Sequence, residues 1–126
     1  MILAIDPGRD KSGLAVVTTA NQIIEQMVIG TEKLKDILVT YAKKYHITEV
    51  VLGDGTASRE VKELVSDYHW ELEMIDETNS TLEARELYWA DNPPRGWRKL
   101  IPIALQTPRR AIDDYAAIVL ARRYQS

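Results

Sequence analysis

The sequence predicts an α/β fold built on a five-stranded mixed sheet, with helices on both faces. Three observations carry that expectation. Apolar segments separated only by short polar breaks fill the first 30 positions, the pattern of an antiparallel three-strand meander. Beyond them, apolar residues recur at helical spacing between two further short apolar runs. A strand, a helix and a second strand in that order form a right-handed parallel unit.

Residues 2–6, Ile-Leu-Ala-Ile-Asp, read as a buried strand, and Pro7 to Ser12 as a turn. Residues 13–18 and 22–29 read as the second and third strands, with Ala20-Asn21-Gln22 at the turn between them. Gly13 opens the second strand as a bulge or hairpin end. Leu34, Ile37, Leu38, Tyr41 and Tyr45 mark a helix with Thr31 as its N-cap. Glu49 to Gly53 is a short buried strand. Val61, Leu64, Val65 and Tyr68 mark a second helix that opens near Ser58, and Leu72, Met74 and Ile75 a fifth strand. Ser80 and Glu83 form a capping box for a helix that runs to about Ala90 and stops at Pro93-Pro94. Residues 92–109 read as irregular, with Leu100, Ile101, Ile103 and Leu105 covering the core, and the last helix spans about Ala111 to Tyr124. The order βββαβαβαα is that of the ribonuclease H-like fold, in one domain over residues 1–126 and too short for the two lobes of an actin-like ATPase.

Composition narrows the chemistry. Without cysteine there are no disulfides, thiolate zinc sites, iron–sulfur clusters or cysteine nucleophiles. With only His46 and His69, any bound metal must take mainly oxygen ligands, which favours Mg²⁺ or Mn²⁺. No signal peptide and no apolar run of about 20 residues is visible, so the expected compartment is the cytoplasm, with no membrane contact. There is no glycine-rich phosphate loop with a lysine, which weighs against a nucleotide-binding protein.

The acids fall at the ends of elements. Asp6 closes the first strand, Asp54 follows the fourth, Asp76 and Glu77 follow the fifth, and Asp113 and Asp114 open the last helix. Each alone has an ordinary explanation, as a turn-former or as a negative charge at a helix start. Together they occupy the edge where sites gather in open α/β sheets. Acids collected there repel one another unless cations hold them, and two divalent ions about 3.5–4 Å apart can activate water against a phosphodiester.

The charge is split along the chain. Residues 1–94 carry 9 Lys/Arg against 17 Asp/Glu, whereas residues 95–126 carry 7 against 2. Arg95, Arg98, Lys99, Arg109 and Arg110 crowd one segment with no acid among them, and Trp97 stands in it as a stacking candidate. Arg9 and Lys11 sit in the first turn, beside Asp6.

These residues resemble the YqgF/RuvC-like family, which comprises Holliday-junction resolvases and pre-16S rRNA nucleases of ribonuclease H-like fold. Ile2-Leu-Ala-Ile-Asp-Pro-Gly-Arg9 with Ser12-Gly-Leu-Ala-Val16 resembles the family's opening strand and hairpin. Asp76-Glu77 with Ser80-Thr81 and Ala84 is similar to its acidic pair before a helix, and Ile112-Asp113 with Ala116-Ala117 to its closing helix. The resemblance implies a Mg²⁺- or Mn²⁺-dependent nuclease with two ions, acting on structured RNA or branched DNA. It implies Asp6, Glu77 and Asp113 as the catalytic acids and metal ligands, with Asp54 and Asp114 as further ligands. A homodimer is expected for a junction cutter, but not for an rRNA processor. Gly53-Asp54-Gly55-Thr56 and the long segment from Pro93 to Pro108 depart from the YqgF pattern, as in a divergent member. The alternative is a ribonuclease H-like module that binds nucleic acid without cleaving it.

Overall fold

The computed structural model describes the chain except Thr56, residues 103–107 and Arg109, and of Arg98 only the backbone. The elements are β1 (Ile2–Asp6), β2 (Lys11–Val17), β3 (Ile23–Gly30), α1 (Leu34–Lys44), β4 (Glu49–Gly53), α2 (Ser58–Val65), β5 (Glu71–Ile75), α3 (Ser80–Asp91) and α4 (Asp113–Gln125). Short 3-10 turns span Thr31–Lys33 and Gly96–Leu100. The sheet order is β3-β2-β1-β4-β5, with the first three strands antiparallel and β4 and β5 parallel to β1.

The period-two alternation of β1 sends its side chains into two separate cores. Ile2 and Ala4 pack with Ala15, Val17 and Val51 beneath α3 and α4. Leu3 and Ile5 pack with Leu14, Val16, Val50 and Leu52 beneath α1 and α2. A fully buried Leu or Ile of this kind contributes about 2 kcal/mol. Alanines at 4, 15 and 117 are fully buried, so α4 lies close on the sheet.

Several local expectations are corrected. Thr31 does not cap α1; it opens a 3-10 turn, and its Oγ1 donates to the Gly8 carbonyl at 2.8 Å. Its hydroxyl also meets Ser12 Oγ at 2.8 Å, which ties the β1–β2 turn to the end of β3. The Ser80–Glu83 capping box does not form, because Asn79 adopts a left-handed φ of 63° at the N-cap and Ser80 is already helical and buried. Glu83 pairs with Arg123 instead. The last helix starts at Asp113, two residues after the expected Ala111. Leu100 does not cover the core but is 88% exposed, whereas Ile103 and Leu105 lie outside the described residues. Gly13 sits in unbroken register with Asp6, so it is not a bulge. A Cβ there would overlap the main chain of Asp113 and Asp114. The missing side chain is what lets α4 start directly over β2.

Candidate active site

The site forms where β1, β4 and the segment after β5 end side by side. Asp6 closes β1 beside Gly13. Glu77 reaches back from beyond β5 into a space left by Gly53 and Gly55, and a Cβ on either glycine would overlap its carboxylate. Asp54, between them, is exposed, and its Oδ1 accepts the Glu77 main-chain N–H at 3.2 Å. The Gly55 N–H donates to the Glu77 carboxylate. Gly-Asp-Gly thus acts as a cradle that both admits and orients Glu77.

Asp6 and Glu77 meet carboxyl to carboxyl. Burial first, then the hydrogen bond to Glu77, then the charges of Glu77 and Asp113 push the Asp6 carboxyl up to about 8. Burial also raises Glu77; its bond to Asp6 opposes the rise, and the charge of Asp54 adds to it. With both groups ionised, Oε1 of Glu77 is buried and has no donor. A shared proton or a bound cation is what such a pair requires.

Helix α4 brings in the third acid. Burial raises Asp113, its own main-chain N–H and Lys11 oppose the rise, and Asp114 adds to it. Asp114 occupies a different setting. It is 2% exposed, and its carboxylate takes Arg110 through two bonds, at 3.0 and 3.1 Å, and Gln26 Nε2 at 2.8 Å. Both of its oxygens are therefore occupied by protein groups. Among the described residues, no three acid or histidine side chains stand together in metal-holding geometry; Asp6 and Glu77 touch, and the charge of Asp113 acts on Asp6.

The cations divide as well. Arg9 on the β1–β2 turn and Lys11 at the start of β2 are exposed, with the charge of Lys11 acting on Asp113. Arg110 is drawn into the Asp114 pair and lies over the rings of Tyr88 and Tyr115, at 5.8 and 5.3 Å from their centroids. A cleft of about 620 Å³ beside it is lined by Lys11, Gly30, Arg110 and Ala111, among others. Arg95 and Lys99 are exposed, and Trp97 is 69% exposed. The Arg98 side chain and all of Arg109 lie outside the described residues.

Sequence reasoning missed Gly55 as part of the Glu77 cradle and Gln26 as a partner of Asp114. The Gly-x-Gly spacing around Asp54 was a signal for the first. A lone amide inside the apolar run of β3 was a signal for the second.

The model of the Tex protein YqgF-like domain matches residues 1–91, from β1 to the end of α3. The chain belongs to the YqgF-like family. The match carries Asp6, Asp54 and Glu77 but stops short of α4 and Asp113. No curated protein sequence matches this YqgF-like chain. Among solved structures, Thermus thermophilus RuvC superposes with a TM-score of 0.59 at 11% identity, over 98% of this chain and 93% of that one. T. thermophilus RuvC in complex with Holliday junction substrate superposes at 0.54 and 12% identity, over 95% and 89%. A ROK family protein from Streptococcus pneumoniae TIGR4, in complex with sucrose, gives 0.49 at 18% identity. The YqgF-like chain spans 37% of that protein's length, with 68% of its own residues covered. The RuvC superpositions extend through α4 and establish the ribonuclease H-like fold. No described helix is long and apolar enough to cross a membrane.

Proposed function

We propose that this YqgF-like domain is a nuclease that hydrolyses phosphodiester bonds in structured nucleic acid and depends on Mg²⁺ or Mn²⁺, with two ions bound. One observation carries the reading: Asp6 and Glu77 are pressed together, with Asp113 adding its charge, around a buried Glu77 oxygen that has no donor. A carboxylate-only donor set suits a hard divalent cation, so these residues fit the metal. Asp6, Glu77 and Asp113 would hold it, with Asp54 at the exposed side. Asp114 is left out of the ligand set, because Arg110 and Gln26 already satisfy it. Bound ions of this kind supply an activated water and stabilise the leaving oxygen. The chain's own residues do the rest. The Gly53–Gly55 cradle orients Glu77, and the start of α4 over Gly13 fixes Asp113. Arg9, Lys11, Arg95, Arg98, Lys99 and Arg109 would hold the phosphate backbone, and Trp97 would stack on a base. Arg110 would reach a phosphate only from within its pair with Asp114.

The test is cleavage of a panel of RNA hairpins and four-way DNA junctions, with Mg²⁺, with Mn²⁺ and with chelator. Cutting that appears only with metal supports the proposal. Binding without cutting would favour a non-catalytic module, a reading that the lack of a three-ligand cluster among the described residues motivates. Solution mass on the junction-bound chain separates a dimeric junction cutter from a monomer acting on RNA.

A further inference from the structure

The loop that carries Glu77 leaves β5, an edge strand with a single neighbour. Asp76, Thr78 and Asn79 are exposed, so packing does little to hold the loop. One side chain from the far end of α4 does hold it. Arg123 Nη1 donates to the Asp76 carbonyl at 2.7 Å, and Nη2 donates to the Thr78 carbonyl at 2.6 Å. Those two carbonyls lie on either side of Glu77 in the chain. Nη2 also meets Glu83 Oε1 at 3.1 Å, which keeps the guanidinium in place from α3. The loop's internal bonds complete the arrangement: Asp76 Oδ1 accepts from the Thr78 N–H at 2.9 Å, and the Ser80 N–H donates to the Glu77 carbonyl at 2.9 Å.

We propose that Arg123 is a positioning residue, a two-pronged clamp that fixes Glu77 against Asp6. Its consequence for metal binding rests on the nuclease reading above. The helix that starts at Asp113 and sets it over Gly13 ends in the clamp on Glu77, so α4 sets the spacing of two acids supplied by separate parts of the chain. Once both are ionised, as they must be to hold a cation, Asp6 and Glu77 repel each other, and a loop on an edge strand would let them part. A planar fork with two parallel donors suits two carbonyls flanking one residue, and the single ammonium of lysine does not. An ångström of slack in a site of this kind is costly to function.

The experiment reads amide hydrogen exchange on the metal-free full chain, for wild type, R123A, R123K and R122A. Exchange at Glu77, Thr78 and Ser80 is expected to quicken about tenfold or more in R123A, the scale of losing a hydrogen bond to a charged group. The R123K chain should lie between, R122A should match wild type, and the β1 and β4 amides should stay unchanged. Mn²⁺ affinity should fall about tenfold in R123A, because the carboxylate pair is no longer preformed. Should R123A fail to fold, R123K keeps the charge, loses the fork and reads the same amides. Unchanged exchange at 77–80, or equal acceleration in every element, would overturn the clamp. A wild-type chain that binds no Mn²⁺ would instead overturn the nuclease reading, and the exchange pattern would still decide the clamp.

Discussion

Replacing Asp6 by Asn changes little in shape and removes one acid from a crowded pair. The Asp6 carboxyl stands at about 8 against an ordinary 3.8. Between those values the folded chain holds a proton that the unfolded chain has released. The Asp6 contribution to wild-type stability is therefore full below pH 4, falls as pH rises through this window, and is lost above pH 8, a range set by the Asp6 shift. The whole shift would correspond to about 5–6 kcal/mol at 1.36 kcal/mol per unit. Asp6 is only partly buried and shares its proton with Glu77, so solvent screening and coupling reduce this to about 2–3 kcal/mol. Asn cannot ionise, and its amide can donate to Glu77. Without metal, the variant should match wild type or fall slightly below it at pH 4, and exceed it by about 2 kcal/mol at pH 8. For a chain of this size that is about 6–8 °C in Tm. Mg²⁺ at about a hundredfold excess over its Kd should close the gap, since it stabilises wild type by about 2.7 kcal/mol, and should reverse the order if loss of the Asp6 ligand cuts the variant's gain below about 0.7 kcal/mol. Thermal melts from pH 4 to pH 9, with chelator and with Mg²⁺, read both effects. An apo variant that is less stable than wild type at pH 8 would refute the account and leave Asp6 a turn residue.

Other outcomes follow from the same geometry. Gly13→Ala should destabilise the fold by about 1–3 kcal/mol in urea titrations, because the added Cβ overlaps the start of α4. Arg110→Ala should cost about 1–3 kcal/mol by leaving the buried Asp114 with only Gln26, while nucleic-acid affinity falls little; melts and filter binding compare the two. Changing Arg95 and Lys99 to Ala should flatten the log–log salt dependence of duplex DNA binding by up to about 1.8, at about 0.9 per lost phosphate contact, and an unchanged slope would make this segment a solvated loop. Glu77→Gln should abolish metal-dependent cleavage, with a rate loss of about a thousandfold or more, and leave the fold intact by circular dichroism.

The sheet was legible because its strands carry their own periodicity. Ile2–Asp6 and Glu49–Gly53 are short apolar runs closed by an acid or a glycine, and such runs have few other uses. The placing of acids at strand ends was legible for the same reason. What escaped depended on contacts between segments far apart in the chain. Nothing near Gly13 announces a helix that arrives 100 residues later. Asp113 and Asp114 are adjacent and chemically alike, and only the approach of Gln26 and Arg110 separates them. The Ser80-x-x-Glu83 pattern fits a capping box, but Arg123 draws Glu83 away and Asn79 takes the left-handed position that starts the helix. Leu100 looks like a core residue by type, yet its short 3-10 turn leaves it exposed.

Asp113, on a helix beyond the family match, is proposed to complete one metal site with Asp6 and Glu77. Equilibrium titration of Mn²⁺ into wild type and Asp113→Asn at pH 8 tests it most directly. Wild type should bind measurably and the variant at least about tenfold more weakly, the equivalent of about 1.4 kcal/mol. Equal affinity in the two chains, with both folded, would contradict it.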